Sequence, residues 1–176
     1  MKFVTDLRLL LLGIWLGSAV FFIAVAQAAF AVLPQRELAG AVVGRSLTFL
    51  NLGGLGIAAL LIVLSFLTAR NIGRLWVWID RILISIIAVA CAVGQFVIGF
   101  MLLSVRAQMG GRPIDEVAVD DPLRVQFNTL HEYSVWVLMA AMAAGFIAFF
   151  VIANRRQDLS SGTASQPYNF EKEFKI

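Results

Sequence analysis

The polar residues best placed to do chemistry in this 176-residue chain lie within one short segment, 124–132. The segment holds a base, an amide, an imidazole and an acid: Arg124, Asn128, His131 and Glu132. At helical spacing the first three share one face, and the acid lies four residues from the amide. His131 is the only histidine of the chain, and imidazole exchanges protons near neutral pH. We call these four residues the candidate polar cluster.

Three interpretations of the candidate polar cluster stay open. In the first, the cluster is a polar cap in which His131 and Glu132 satisfy loop and helix-end groups. In the second, it is a proton- or ion-coupled site that also uses Gln27 and Asn51. In the third, it is a haem or metal site, for which one histidine leaves only nearby carboxylates as further ligands. Those carboxylates belong to Asp115, Glu116, Asp120 and Asp121.

Enzyme motifs are missing from the sequence. It contains no Ser/His/Asp spacing, Gly-rich phosphate loop, HExxH or CxxC, so no catalytic residue, metal site or cofactor is predicted. The single cysteine, Cys91, excludes a disulfide framework within one chain. We therefore expect a protein that is not an enzyme.

Several more polar residues interrupt apolar stretches, where polar groups are costly in lipid. Gln27, Asn51 and Gln95 are neutral amides in such stretches, and we expect them to bridge helices.

Asp80 and Arg81 lie side by side at the start of the third apolar stretch. An unpaired carboxylate there would be penalised. We therefore expect a structural ion pair here, with Asp80 contacting a basic residue such as Arg8 or Arg74.

The elements that position these residues are four long apolar runs. Crossing ~30 Å of hydrocarbon takes about 20 helical residues, and every run reaches that length. Composition agrees, with 60% hydrophobic and 14% charged residues, against about 25% charged in soluble domains. The chain is expected to be an all-α membrane protein, an antiparallel four-transmembrane-helix bundle. The predicted spans are about 9–33, 46–69, 75–105 and 125–153, within one domain over 1–156 that precedes a polar cytoplasmic tail over 157–176.

The connections between spans carry turn signals. Pro34 ends the first helix, and Pro34–Arg45 is expected to be a loop. Asp121 followed by Pro122 predicts an N-cap with proline at the first helical position. The polar tail is expected to be mobile in isolation, with docking onto this protein or a neighbouring subunit as the alternative.

Small and aromatic residues predict how the helices pack. Small residues let helix backbones approach closely in lipid, and tryptophans favour the membrane interfaces. The expected packing faces contain Gly13, Gly17, Gly53, Gly54, Gly56, Ala140, Ala144 and Ala148, and the expected interfacial belt contains Trp15, Trp76, Trp78 and Trp136.

The distribution of positive charge predicts orientation. Nine of the 14 Lys and Arg residues fall on the side that contains both termini, which the positive-inside rule places in the cytoplasm. Because the basic residues are scattered at the ends of apolar runs, a nucleic-acid partner is not expected. The expected partner is the lipid bilayer.

Three segments resemble a known family. Leu12–Gly17, Phe30–Pro34 and Phe127–Ser134 are similar to segments of the bacterial domain of unknown function 4149 proteins, which resemble eukaryotic transmembrane protein 205. In the last segment His131 and Ser134 match the family's Phe-x-x-x-His-x-x-Ser element. The resemblance implies a four-helix protein of the bacterial plasma membrane whose activity is not established. It also suggests export or resistance involving metal-containing compounds.

Two main hypotheses about function result. The first is a non-enzymatic accessory or scaffold subunit of a larger membrane complex or homo-oligomer. The second is a small proton- or ion-coupled transporter or export component. A haem- or metal-binding redox protein is the third.

Overall fold

A computed structural model of the chain describes the backbone of residues 2–68, 73–110 and 112–164, with side chains up to residue 154 except at 2 and 68. Four helices are long and apolar enough to cross a membrane, and no strand occurs in these ranges. The predicted all-α, four-span architecture is therefore confirmed. The elements in chain order are α1 Lys2–Val32, α2 Arg36–Thr68, α3 Arg74–Ala92, a π-helical segment Val93–Ile98, α4 Gly99–Gln108, a 3-10 turn Ile114–Glu116 and α5 Pro122–Ala164.

The first loop is shorter than expected. Residues 36–45 form the start of α2, so that residues 33–35 alone separate it from α1. The stretch contains good helix formers such as Leu38 and Ala39, and Glu37 lies in the first turn of the helix, where negative charge is favourable. The residues between Pro34 and the second apolar run are thus compatible with the first turns of a helix.

The last helix is longer than expected. α5 contains 43 residues and is therefore about 65 Å long, against ~30 Å of hydrocarbon. It continues through 157–164, where the polar tail was expected to begin. The remaining tail, and with it the expected docking of residues 168–174, lies outside the described residues.

Contacts between helices establish their antiparallel order. At one end, Asp80 near the start of α3 meets Arg8 near the start of α1 and Ser65 near the end of α2. At the other end, the Arg106 side chain of α4 lies against Gly40 near the start of α2. We call these the Asp80 end and the Asp121 end of the bundle, the latter because the loop before α5 closes there.

Trp15 occupies the core instead of an interface. It is only 2% exposed near the middle of α1, so its assignment to an interfacial belt is wrong. Its ring fits there because Gly54 of α2 and Gly145 of α5 lack side chains: a Cβ at Gly54 would lie 2.5 Å from Nε1 of Trp15. The indole N–H donates to the carbonyl of Leu50 at 3.4 Å.

The other predicted packing positions divide between core and surface. Gly13 faces Phe149 of α5, and Ala144 and Ala148 are buried, as expected of packing faces. Four further positions differ from the expectation: Ala140 is exposed, as are Gly17, Gly53 and Gly56, and all three glycines have open space where a Cβ would project.

The connection before α5 is well defined. Gly110 follows α4 with a φ of +68°, a conformation that glycine adopts without steric cost. α5 then begins at Pro122, and Asp121 accepts a hydrogen bond from the backbone N–H of Leu123 at 2.8 Å. The predicted N-cap is confirmed.

Candidate functional site

The candidate polar cluster does not converge on one site. Arg124 is half-buried, and its guanidinium donates to the carbonyl of Val117 at 2.5 Å. Asn128, His131 and Glu132 are exposed on α5, and none of their three side chains forms a hydrogen bond in the described part of the chain. The capping of the loop is therefore performed by Arg124, since it alone of the four reaches a loop carbonyl.

The intramembrane amides are also separate from one another. Gln27 is exposed on α1, and Gln95 is half-buried in the π-helical segment. Asn51 on α2 is only 5% exposed. Within the described ranges none of them bridges two helices by a hydrogen bond, so the bridges expected from the sequence are not present.

Asp80 is the centre of a buried charge network at the Asp80 end. An NH2 group of Arg8 donates to its Oδ2 atom at 2.6 Å, and the two side chains are 3% and 1% exposed. The hydroxyl of Ser65 donates to the same oxygen at 3.2 Å. Arg81 is more distant: its Nε donates to Ser65 Oγ at 3.4 Å instead of contacting the carboxylate.

This network joins three helices through one carboxylate. Asp80 has one of the two partners considered for it, Arg8, while Arg81 interacts with it through Ser65. Because both charges are removed from solvent, loss of either partner would leave the other buried and uncompensated. Sequence reasoning missed Ser65. The signal that could have identified it is a polar hydroxyl within the second apolar run. The network is suited to holding α1, α2 and α3 together.

A second polar site lies deeper, where α2 faces α3, the π-helical segment and α5. A small cavity of about 10 Å³ separates these elements, which is near the minimum needed for one water molecule. Its lining includes Asn51, Cys91, Gly94 and Ser134, and apolar side chains form the remainder. An amide and a hydroxyl on one cavity of this size can hold a single water molecule by hydrogen bonds.

The π-helical segment and its glycines shape this cavity. A Cβ on Gly94 would lie 3.2 Å from Nδ2 of Asn51, so glycine lets the amide sit directly against the helix backbone. The N–H of Gly99 bonds back to the carbonyl of Gly94, five residues earlier. Such π segments occur often at functional sites. The sequence named Asn51, Cys91 and Ser134 separately and did not bring them together.

Metal ligands are not gathered in the described ranges. Among the side chains described, those of 3–67, 73–110 and 112–154, no three His, Cys, Asp or Glu residues come close enough to hold one metal ion. The acidic residues considered as partners of His131 belong to the loop, where Asp115 instead faces Arg36 at 3.5 Å.

Comparison with known proteins gives one match. The model of a family described as a domain of unknown function (DUF4149) matches residues 10–111, more than half of the chain. The match covers most of α1 together with α2, α3 and α4, and ends before His131. No curated protein and no solved structure matches the chain.

Proposed function

The chain belongs to the DUF4149 family, and from that premise we propose that it acts as a non-enzymatic accessory or scaffold subunit of a larger membrane complex. It is an integral membrane protein by the length and hydropathy of its four helices. The proposal concerns what such a bundle does there.

One observation carries the proposal: the middle of the bundle is closed by tight apolar packing. Trp15 fills the space between Gly54 and Gly145 and is 2% exposed. Apolar residues from α1, α2, α3 and α5 form one continuous cluster around it, including Leu12, Leu61, Ile84, Ala148 and Ile152. A densely packed core of this kind is rigid and leaves little free volume between the helices. That favours a structural role over passage of a solute between the helices.

The charged residues support the same conclusion. Arg8 and Asp80 are committed to each other at 2.6 Å, and a buried pair of this kind is a structural element whose disruption is costly. Proton-coupled transport through one chain would instead use a connected polar route. Gln27 and His131, two of the residues considered for it, are exposed on different helices, and neither lines the small cavity beside Asn51.

Reconstitution into liposomes tests the proposal. Full-length protein is inserted into vesicles that contain a pH-sensitive dye, and a pH gradient is applied. We expect proton leak equal to that of protein-free vesicles, and no difference between wild type and His131→Ala. Proton flux above the protein-free level that His131→Ala abolishes would overturn the accessory role in favour of transport.

Complex formation is measured in parallel. Extraction from native membranes in mild detergent is expected to give a particle with a membrane partner at fixed stoichiometry. A partner-free particle that also moves solute in liposomes would contradict the proposal.

The orientation is part of the proposal. In the sequence, nine of the 14 Lys and Arg residues belong to the loop and the terminal segments assigned to the side of both termini, which supports a plasma-membrane protein with both termini in the cytoplasm. A reporter enzyme that is active only outside the cytoplasm, fused to the N-terminus, should stay inactive, and the same reporter inserted between Arg112 and Pro113 should be active. The reverse pattern would contradict this orientation.

A further inference from the structure

A lateral groove runs along the bundle between α3 and α5. Its volume is about 500 Å³, within the usual range of ligand pockets, roughly 300–1,000 Å³. The wall from α3 is almost entirely apolar, and α5 contributes Val137 and Ala140. Trp78 and Arg81 lie at the end of the groove nearest the start of α3.

The part of the groove beyond Arg81 is about as long as one membrane leaflet is deep. It continues from Arg81 to Val93 at the start of the π-helical segment, twelve residues and therefore about 18 Å along the helix axis. The hydrocarbon core is ~30 Å thick, so a single leaflet contributes about half of that. An acyl chain of that leaflet, lying along α3, is therefore about as long as this part of the groove.

Arg81 is a fixed cation at the end of this apolar surface. Its guanidinium carbon lies 4.0 Å from the ring centroid of Phe66, and its Nε donates to Ser65. The nearest carboxylate along the chain, Asp80, is already paired with Arg8. In the described structure the two terminal nitrogens of Arg81 make no hydrogen bond. A planar guanidinium held in this way suits bidentate binding of a phosphate.

We propose that this groove binds an anionic phospholipid, with the phosphate on Arg81 and one acyl chain along α3. Basic residues between transmembrane helices bind such head groups, and Trp78 beside the cation fits the interfacial depth at which head groups lie. The site is independent of the accessory role proposed above, since either can hold without the other.

Native mass spectrometry of the detergent-purified full chain tests the site. Phosphatidylglycerol and phosphatidylcholine with identical acyl chains are titrated separately. We expect the first lipid bound at one-to-one stoichiometry to be phosphatidylglycerol, preferred about tenfold, which corresponds to about 1.4 kcal/mol. Arg81→Gln should remove the preference. The matched control is Arg74→Gln, which removes an exposed cation from the same helix outside the groove and should leave the preference intact.

Because Arg81→Gln also removes the hydrogen bond from Arg81 to Ser65, a second variant tests the groove with that bond intact. Val89→Trp fills the groove from an exposed position and should weaken binding of both lipids while leaving Arg81 in place. Equal binding of the two lipids to wild type would overturn the proposal, as would a preference that survives Arg81→Gln. If Val89→Trp changes the oligomeric mass but not lipid binding, the groove holds a protein helix and the lipid assignment is wrong.

Discussion

Replacement of Gly54 by alanine probes the packing that closes the middle of the bundle. The added Cβ would lie 2.5 Å from Nε1 of Trp15 and 2.7 Å from Sγ of Cys91. Favourable contacts between carbon atoms need about 3.5–4.0 Å. Both neighbours are 2% exposed and belong to the buried apolar cluster of the bundle. The methyl group can therefore be accommodated only if the ring, the thiol or the α2 backbone moves by about 1 Å.

The magnitude follows from three contributions. Overpacking of a dense core costs about 1–3 kcal/mol. Displacement of Trp15 also weakens its hydrogen bond to the carbonyl of Leu50, now 3.4 Å long, and such a bond contributes about 1 kcal/mol. The higher helix propensity of alanine offsets roughly 1 kcal/mol of this destabilisation. Gly54→Ala should thus lower the free energy of unfolding by about 1–3 kcal/mol.

Unfolding by SDS in mixed micelles, followed by circular dichroism and tryptophan fluorescence, measures this change. The matched controls are Gly53→Ala and Gly56→Ala on the same helix, because at both positions an added methyl group would have no neighbouring side chain within 4 Å. These controls should be neutral or stabilised by up to about 1 kcal/mol. If Gly54→Ala unfolds at the same SDS fraction as Gly53→Ala, the argument that Trp15 closes the core through this glycine is refuted.

Three further predictions use the same preparation. Arg8→Met or Asp80→Leu alone should cost about 3–5 kcal/mol, whereas the double variant should recover most of that loss; additive costs in SDS unfolding would contradict a coupled pair. Asp121→Ala should lose about 1 kcal/mol and speed hydrogen exchange in the first turn of α5, with Asp121→Ser restoring both; unchanged exchange would show that the cap is dispensable. Cys91, 2% exposed, should react with maleimide far more slowly in the folded protein than in SDS, and Gly54→Ala should speed the folded-state reaction; equal rates in folded and unfolded protein would contradict its burial.

Local features of the sequence determined the architecture. The length and hydropathy of the apolar runs predict four spans because a helix that crosses the bilayer needs about 20 consecutive, mostly apolar residues. Asp121 and Pro122 predicted the start of α5 for a similar reason, since the capping bond spans only two residues. The prediction is wrong at Arg36–Arg45 because the apolar run that defines the second span starts only at Ser46, whereas the helix itself begins outside the hydrocarbon core.

Tertiary structure alone decided which residues meet. Asp80 pairs with Arg8, 72 positions away, and not with its chain neighbour Arg81. Trp15 lies in the core because glycines on two other helices leave it room, a condition that the sequence around Trp15 does not contain. Asn51 and Ser134 face one cavity, while the more conspicuous His131 is exposed. Hydropathy and spacing act along one helix, whereas these contacts depend on the rotation and register of several helices at once, which only their mutual packing determines.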